Sequence, residues 1–149
     1  MELNKTTFYL LSFTWGIILT LYGCLVALVM LFLGKKPRRW AWTRYFILGK
    51  KSWGGMECGM IFLRDHGKSP FINAHEFGHA VQNCFFGPLM IPLVTIPSSL
   101  RYWTRRLLKR LGHPPKKDYY AIWFEAQASR LGLKYSALAG EDVTAPQEA

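Results

Sequence analysis

The chain has 149 residues, of which 50% are apolar and 15% are aromatic. This length suits one modest domain with a membrane anchor and excludes two full domains. The net charge of +10 is concentrated, because seven of the 19 Lys and Arg residues lie in 35–51 and seven in 101–117. Each basic block flanks an apolar stretch, which is typical of membrane proteins and argues against a nucleic-acid groove. The three Cys residues are too few and too scattered for a disulfide framework or a C-x-x-C metal site.

The first apolar stretch, residues 6–33, carries no charge over 28 positions. About 20 apolar residues are enough to cross a bilayer. A cleaved signal peptide would be shorter and would end at small residues, whereas this stretch is followed by a basic segment, 35–39. We therefore expect an uncleaved transmembrane helix within residues 1–34. Because the basic segment follows the helix, we expect the N-terminus outside and the remaining chain in the cytoplasm, at the plasma membrane if the source is bacterial.

The next region predicts a short β-hairpin. Apolar and other residues alternate over 56–62, which indicates a strand, and 45–48 is its expected partner across a turn at 50–55. Such a hairpin would either cover the core or offer an edge to which an extended peptide adds by main-chain hydrogen bonds. His66 lies in a predicted turn after the hairpin, and we expect it to be solvated rather than a metal ligand.

The boundary signals around residues 71–86 predict a helix. Ser69 is a favourable N-cap residue and Pro70 suits the first helical position, where its missing N–H costs nothing. Gly87 and the proline after it end or kink the helix.

This helix contains the pattern H-E-x-x-H at residues 75–79. Positions i and i+4 lie on the same face of an α-helix, so the imidazoles of His75 and His79 can bind one zinc ion. Glu76 would then accept a proton from water at that ion. The alternative is that both His residues are ordinary polar residues on a solvated helix face.

A second apolar stretch, residues 85–100, contains prolines at positions 88, 92 and 97. A single crossing would place the two basic blocks on opposite sides of the membrane, against the positive-inside rule. We therefore expect a membrane-embedded segment that does not cross, either re-entrant or interfacial, or paired with the preceding helix as a hairpin.

A catalytic zinc takes three protein ligands and keeps one position open. Of the acidic residues after the H-E-x-x-H pattern, three lie in a polar tail, 140–149, which we expect to be disordered. Asp118 is better explained as the N-cap of the last helix, predicted over 119–131. Glu125 therefore remains as the third ligand.

The surroundings of Glu125 support this choice. Ala121, Ala128 and Gly132 share its helical stripe, and such small residues would allow a close approach to the helix of His75 and His79. A carboxylate buried among aromatic residues needs a cation, and zinc would supply it. The alternative is an ion pair between Glu125 and one of the many Arg or Lys residues.

With H-E-x-x-H followed by a helical Glu125-Ala126-Gln127-Ala128, the chain resembles the gluzincin metallopeptidases, especially membrane-integrated members whose second motif is E-x-x-A-D. The resemblance implies zinc bound by His75, His79 and Glu125, with Glu76 as general base and then general acid.

The chain departs from this family at Ser129, where those proteins have an Asp that orients a zinc-bound imidazole. Because Ser is a weaker hydrogen-bond acceptor, either another group orients the imidazole or the activity is lower. Site-2 intramembrane proteases also have H-E-x-x-H in apolar surroundings, but their third ligand is an Asp in an Asp-Gly motif, and this chain contains no Asp-Gly.

The sequence thus predicts a mainly α membrane protein: an anchor at 1–34, and a minimal zincin-like helical domain at 35–139 with a short β-hairpin and a re-entrant or interfacial segment. The expected function is zinc-dependent hydrolysis of peptides or membrane proteins, at an active site facing the cytoplasm near the membrane surface. We expect the lipid bilayer as a partner and no nucleic acid.

Two questions stay open at this level. The group that stabilises the oxyanion could be Tyr119, Tyr120 or His113. The chain could also be a non-catalytic membrane scaffold or regulator that uses zinc structurally. Glu76 favours catalysis, because a structural zinc site needs no carboxylate between its two His ligands.

Overall fold

The computed structural model describes residues 2–49, 53–67 and 69–143. The described part is mostly helical and contains a small sheet, which confirms that part of the predicted fold. The helices are α1 (Lys5–Phe13), α2 (Ile17–Phe32), α3 (Pro70–Phe86), α4 (Ile96–Arg110) and α5 (Trp123–Leu138). The strands are β1 (Arg38–Trp40), β2 (Thr43–Ile47), β3 (Gly55–Cys58) and β4 (Ile61–Arg64).

The prediction of one continuous helix within residues 1–34 is wrong, because α1 and α2 meet at an angle of 90°. The break forms where Gly16 packs against α3. The Asn83 side-chain amide donates a hydrogen bond to the Gly16 carbonyl over 3.1 Å, and a Cβ on Gly16 would lie 2.6 Å from that nitrogen. The Thr20 hydroxyl donates across the break to the Ser12 carbonyl. Contacts with α3 therefore bend a stretch whose composition suggests a straight helix.

No single helix in the described residues is both long and apolar enough to cross a membrane. Two bent helix pairs meet both criteria when their members are taken together. One pair is α1 with α2, and the other joins Pro70–Leu89 to Ile91–Arg110 at an angle of 118°.

The sheet has the strand order β1-β2-β4-β3, so the predicted hairpin of 45–48 with 56–62 is wrong. The chain turns within 56–62 at Gly59, whose φ of +68° suits glycine. β3 and β4 flank this turn as an antiparallel pair, and β2 pairs with β4 in parallel. Residues 50–52 of the predicted turn lie outside the described residues. The outcome is that β3 lies at the edge of the sheet, beside α3.

The bounds of α3 match the prediction: Pro70 begins the helix, Ser69 is the N-cap, and Gly87 ends it with a φ of +53°. The Ser69 side chain makes no capping hydrogen bond. After α3, the second apolar stretch forms a 3₁₀ turn and a π-helical turn and then continues into α4. This path bends the chain by 118° and brings Ser98 of α4 to Glu125 of α5.

The last helix begins later than predicted, at Trp123, and a 3₁₀ turn, Tyr119–Ala121, precedes it. Asp118 therefore does not cap α5, and its side chain makes no capping bond to the 3₁₀ turn either. Ala121 lies exposed in that turn, outside the small-residue stripe of α5.

The centre of the molecule is the crossing of α3 and α5. A Cβ on Gly78 would lie 1.8 Å from the Ala128 carbonyl oxygen, and one on Gly132 would lie 1.8 Å from the Ala74 carbonyl oxygen. The two backbones are therefore in direct contact, as the stripe of Ala128 and Gly132 predicts. This crossing sets the distance between the residues that α3 and α5 contribute to the site.

The N-terminal helix and the tail also contact the rest of the chain. The ring of Phe8 on α1 lies 5.7 Å from that of Phe77 on α3, and both rings are buried. Of the tail at 140–149, residues 144–149 lie outside the described residues, while the Glu141 carboxylate accepts a hydrogen bond from the Ala41 backbone N–H.

Candidate metal centre

Three residues predicted as ligands lie together in the structure. His75 and His79 are one turn apart on α3, and Glu125 is in the first turn of α5. Glu125 Oε2 lies 3.0 Å from His75 Nε2 and 3.2 Å from His79 Nε2. All three side chains are buried, and their ligand atoms lie within 4.8 Å of one another. This group can bind a metal ion.

The hydrogen bonds of Ser129 fix the orientation and the tautomer of His75. The Ser129 hydroxyl donates to the Glu125 carbonyl over 3.0 Å, which uses its only proton. Its oxygen lies 2.9 Å from His75 Nδ1 and must accept from that nitrogen. With the proton on Nδ1, His75 Nε2 presents a lone pair to Glu125.

Gln82 does the same for His79. Its amide nitrogen donates to the Phe124 carbonyl over 2.9 Å and to Gln127 Oε1 over 2.8 Å. Its amide oxygen lies 2.8 Å from His79 Nδ1 and accepts a hydrogen bond from it. In the neutral form of His79, Nε2 is therefore also left with its lone pair directed at Glu125, although the carboxylates of Glu125, Glu76 and Glu57 raise the pKa of this imidazole to about 9 against the effect of burial.

Two nitrogen lone pairs and a carboxylate oxygen thus meet at one point. Contacts of 3.0 and 3.2 Å between these atoms need a positive charge among them, which either a metal ion or a proton on an imidazole supplies. Among the described residues, no Lys or Arg lies within 4.0 Å of the Glu125 carboxylate, which weighs against the alternative of an ion pair. The donor set of two imidazoles and one carboxylate suits a divalent transition metal.

Ser98 and Tyr119 hold the other carboxylate oxygen, and sequence reasoning missed this role for both. Ser98, on α4, donates a hydrogen bond to Glu125 Oε1. Its oxygen lies 3.0 Å from the Tyr119 hydroxyl, which must donate because the Ser98 proton is already used. The polar pair of Ser98 and Ser99 within an apolar stretch was the available signal.

The three candidates for oxyanion stabilisation differ in their contacts and in whether they line the cavity. The Tyr119 hydroxyl is engaged by Ser98, and His113 is exposed and does not line the cavity at the site. The ring of Tyr120 packs edge-on against that of His75, with the centroids 4.8 Å apart, and lines the cavity. Burial raises the pKa of Tyr120 to about 12, so its phenol stays protonated near neutral pH and can donate. His66 is exposed and lies outside the group.

Glu76 lies between the ligand helix and the sheet edge. Its carboxylate is buried and accepts a hydrogen bond from the backbone N–H of Glu57 on β3. A Cβ on Gly55 would lie 2.4 Å from Glu76 Oε1, so the glycine makes room for this carboxylate. Burial raises the pKa of Glu76 to about 8, and a cation bound at the neighbouring ligand group would lower it again and favour the carboxylate.

Comparisons of the chain with known protein families, with curated proteins and with solved structures give no match. The function is therefore inferred from the geometry of the site.

A cavity of about 1010 Å³ opens beside the ligands. His75, Glu76 and His79 form part of its wall, and β3 and α4 contribute other parts. The site consequently combines three buried side chains that can bind a metal ion, a carboxylate next to them, and space for a bound molecule larger than water.

Proposed function

We propose that this chain is a zinc-dependent metallopeptidase. The observation that carries the proposal is the convergence of His75 Nε2, His79 Nε2 and one Glu125 oxygen, with both imidazoles held in the metal-binding tautomer. Two His and one Glu is a ligand set of catalytic zinc, whereas Mg²⁺ and Ca²⁺ prefer oxygen ligands. Zinc would be held by these three residues.

Zinc at this position would supply a Lewis acid that polarises a peptide carbonyl and activates water. Glu76, beside the ligands, takes a proton from the attacking water and passes it to the leaving amine. Tyr120, whose ring contacts that of His75 in the cavity wall, would donate a hydrogen bond to the oxyanion. Ser129, Gln82 and Ser98 keep the three ligands in position.

The edge strand β3 suits an extended substrate. Residues of β3 line the same cavity as Glu76, and among the described residues β3 pairs with the sheet through β4 alone, while its Glu57 N–H donates to Glu76. A peptide that adds to such an edge is held by main-chain hydrogen bonds, independently of most of its side chains. This arrangement favours peptides over small-molecule substrates.

The cavity also favours a catalytic role of the metal over a structural one. A structural zinc site is closed by four protein ligands, whereas the described residues supply three at this group. The remaining side faces a cavity with a carboxylate in its wall. These features favour an enzyme over a zinc-stabilised scaffold.

We also propose that the protein acts at a lipid bilayer. α2 exposes large apolar side chains such as Leu21, Leu25 and Phe32, and α4 exposes Leu100 and Leu107. Monomeric soluble proteins rarely expose contiguous apolar surface of this extent. The orientation expected from the basic blocks, with the N-terminus outside and the site in the cytoplasm, stays a prediction.

The proposal is tested by purifying the full chain in a neutral detergent and measuring bound zinc and peptide hydrolysis. Glu76→Gln should keep zinc at the wild-type level and lower hydrolysis by about 10²- to 10⁴-fold, because general acid–base catalysis is lost. Glu125→Gln should lower the zinc affinity. Glu141→Gln, which changes a carboxylate that does not line the cavity, should affect neither. Zinc binding that is insensitive to Glu125→Gln, or hydrolysis that survives Glu76→Gln, would overturn it.

A further inference from the structure

The side of α4 that faces the cavity carries three cations. Arg105, Arg106 and Lys109 line the same cavity as His75 and Glu76. Along the helix, they follow Ser98, whose hydroxyl contacts Glu125. The cavity therefore extends from the ligand group to a basic wall.

These cations have no carboxylate partner within 4.0 Å among the described residues. Arg105 Nη1 donates to the Lys117 carbonyl over 2.7 Å, and Arg106 Nη1 donates to the Tyr102 hydroxyl over 3.0 Å. Both acceptors are neutral, so the two guanidinium groups are held in place while their charges stay uncompensated. A cavity wall of this kind attracts an anionic ligand.

Acidic side chains also line the cavity, but none of them neutralises this wall. Glu57 and Glu76 lie at the ligand end, and Asp65 and Asp118 lie in the segments before α3 and before the 3₁₀ turn. Asp118 follows Lys117, whose carbonyl accepts from Arg105, so one carboxylate lies at the basic wall and three cations leave that wall with a net positive charge.

Helix geometry gives the distance between the two ends. At 1.5 Å per residue, Arg105 lies about 10 Å and Lys109 about 16 Å beyond Ser98 along the axis of α4. An extended peptide advances about 3.3 Å per residue. These distances correspond to about three to five peptide residues.

We propose that Arg105, Arg106 and Lys109 select peptides that carry acidic side chains about three to five residues from the scissile bond. The position of that bond rests on the proposed function. Anionic lipid headgroups are the other candidate for these cations. The apolar residues Leu100 and Leu107 are exposed on α4 and do not line the cavity, so a bilayer would meet that side of the helix and leave the cations facing the cavity.

The test measures binding, so that it does not depend on turnover. Two fluorescent peptide pools with the same randomised core carry either Glu or Gln at the positions three to five residues from its centre. Their binding to the full-length Glu76→Gln protein, in neutral detergent and with zinc added, is followed by fluorescence anisotropy. We expect the Glu pool to bind at least tenfold more tightly, and 0.5 M salt to reduce this preference.

Variants in α4 locate the preference. Combining Arg105→Gln, Arg106→Gln and Lys109→Gln should reduce it below twofold. Arg110→Gln is the matched control, because this cation is next to Lys109 in the same helix but does not line the cavity. In case the triple variant does not fold, Lys109→Glu alone should weaken binding of the Glu pool and strengthen binding of a matching Lys pool.

Equal binding of the Glu and Gln pools by the folded protein would overturn the proposal and leave the peptidase proposal intact. A preference that survives the α4 substitutions would also overturn it. The same holds if these substitutions abolish binding to anionic phospholipid vesicles and leave the peptide preference unchanged. A preference for the Glu pool without any hydrolysis by the wild type would support the acidic-peptide site and contradict the peptidase.

Discussion

Ser129, at the position where the expected gluzincin pattern has an Asp, contacts an imidazole of the ligand group. A hydroxyl is a weaker acceptor than a carboxylate, but here its proton is given to the Glu125 carbonyl and its oxygen faces His75 Nδ1 over 2.9 Å. Polarisation by the first hydrogen bond strengthens the second. One residue therefore connects the two helices that supply the ligands, so the departure from the family pattern does not leave the imidazole without a partner.

Ser129→Ala should lower the zinc affinity by about 10- to 100-fold, the usual effect of losing the group that orients a ligand imidazole. The measurement is a competition between the purified protein and a chelator of known affinity. Ser99→Ala is the control, since Ser99 lines the cavity and makes no hydrogen bond to a ligand residue in the described structure. An unchanged affinity in Ser129→Ala would show that His75 is oriented by packing alone.

The ligand residues differ in how far the sequence could predict them. The i, i+4 spacing of His75 and His79 is a local signal, and Glu125 followed from the exclusion of other acidic residues. Gln82 follows His79 by one turn, so its contact was available from helical spacing. The polar pair of Ser98 and Ser99 in an apolar stretch indicates a polar role, but the contact of Ser98 with Glu125 was not predictable, because it depends on the bend that carries α4 back to the site.

At the scale of elements, the crossing of α3 and α5 determines whether the ligands can meet. Gly78 follows the motif residue Phe77 and lies directly against the Ala128 carbonyl. The x positions of the H-E-x-x-H pattern are therefore not equivalent: Phe77 fills the core, and Gly78 allows the close approach.

Gly78→Ala should destabilise the protein by about 3 kcal/mol, because a methyl group placed 1.8 Å from a backbone oxygen forces the helices apart. This loss corresponds to a decrease in the melting temperature of roughly 6–12 °C. Separation of the helices should also weaken zinc binding, since His75 and Glu125 are on opposite sides of the contact. Arg130→Ala, at an exposed position of α5, is the control for thermal melting with and without zinc. A stable variant with normal zinc affinity would contradict this account.

The elements that the sequence predicted wrongly are those in which tertiary contacts override local pattern. Residues 6–33 contain no proline or charge to indicate a break, and the 90° bend comes from the contact of Gly16 with Asn83. The alternation over 56–62 continues across Gly59, where the chain in fact turns against α2. By contrast, α3 was predicted within one residue because its signals, Pro70 and Gly87, are local.

At the scale of the whole molecule, the exposed apolar surface and the site belong to the same elements. α4 supplies Ser98 to the ligand group, cations to the cavity, and Leu100 and Leu107 to the exterior. A bilayer that covers the outer side of α4 would thereby set the distance of the cavity from the membrane surface. Membrane association and access of substrate to the site would then be coupled through one helix.

If a bilayer covers these exposed side chains, substitutions there should reduce membrane binding and leave the zinc affinity unchanged. Leu100→Gln with Leu107→Gln on α4, and Leu21→Gln with Leu25→Gln on α2, should each lower binding to phospholipid vesicles about 30-fold. Removing two half-exposed leucines from a bilayer costs about 1 kcal/mol each. Vesicle flotation measures the binding, and chelator competition measures the zinc affinity, which should stay unchanged in both pairs.

Leu138→Gln tests whether any exposed leucine has this effect, because Leu138 is 61% exposed on α5, outside both helices. We expect flotation of this variant to match that of the wild type. Since the two pairs lie on separate helices, combining them should multiply their separate effects. A wild-type protein that stays monomeric in buffer without vesicles or detergent would contradict the bilayer assignment, and the zinc site would then have to be explained in an aqueous setting.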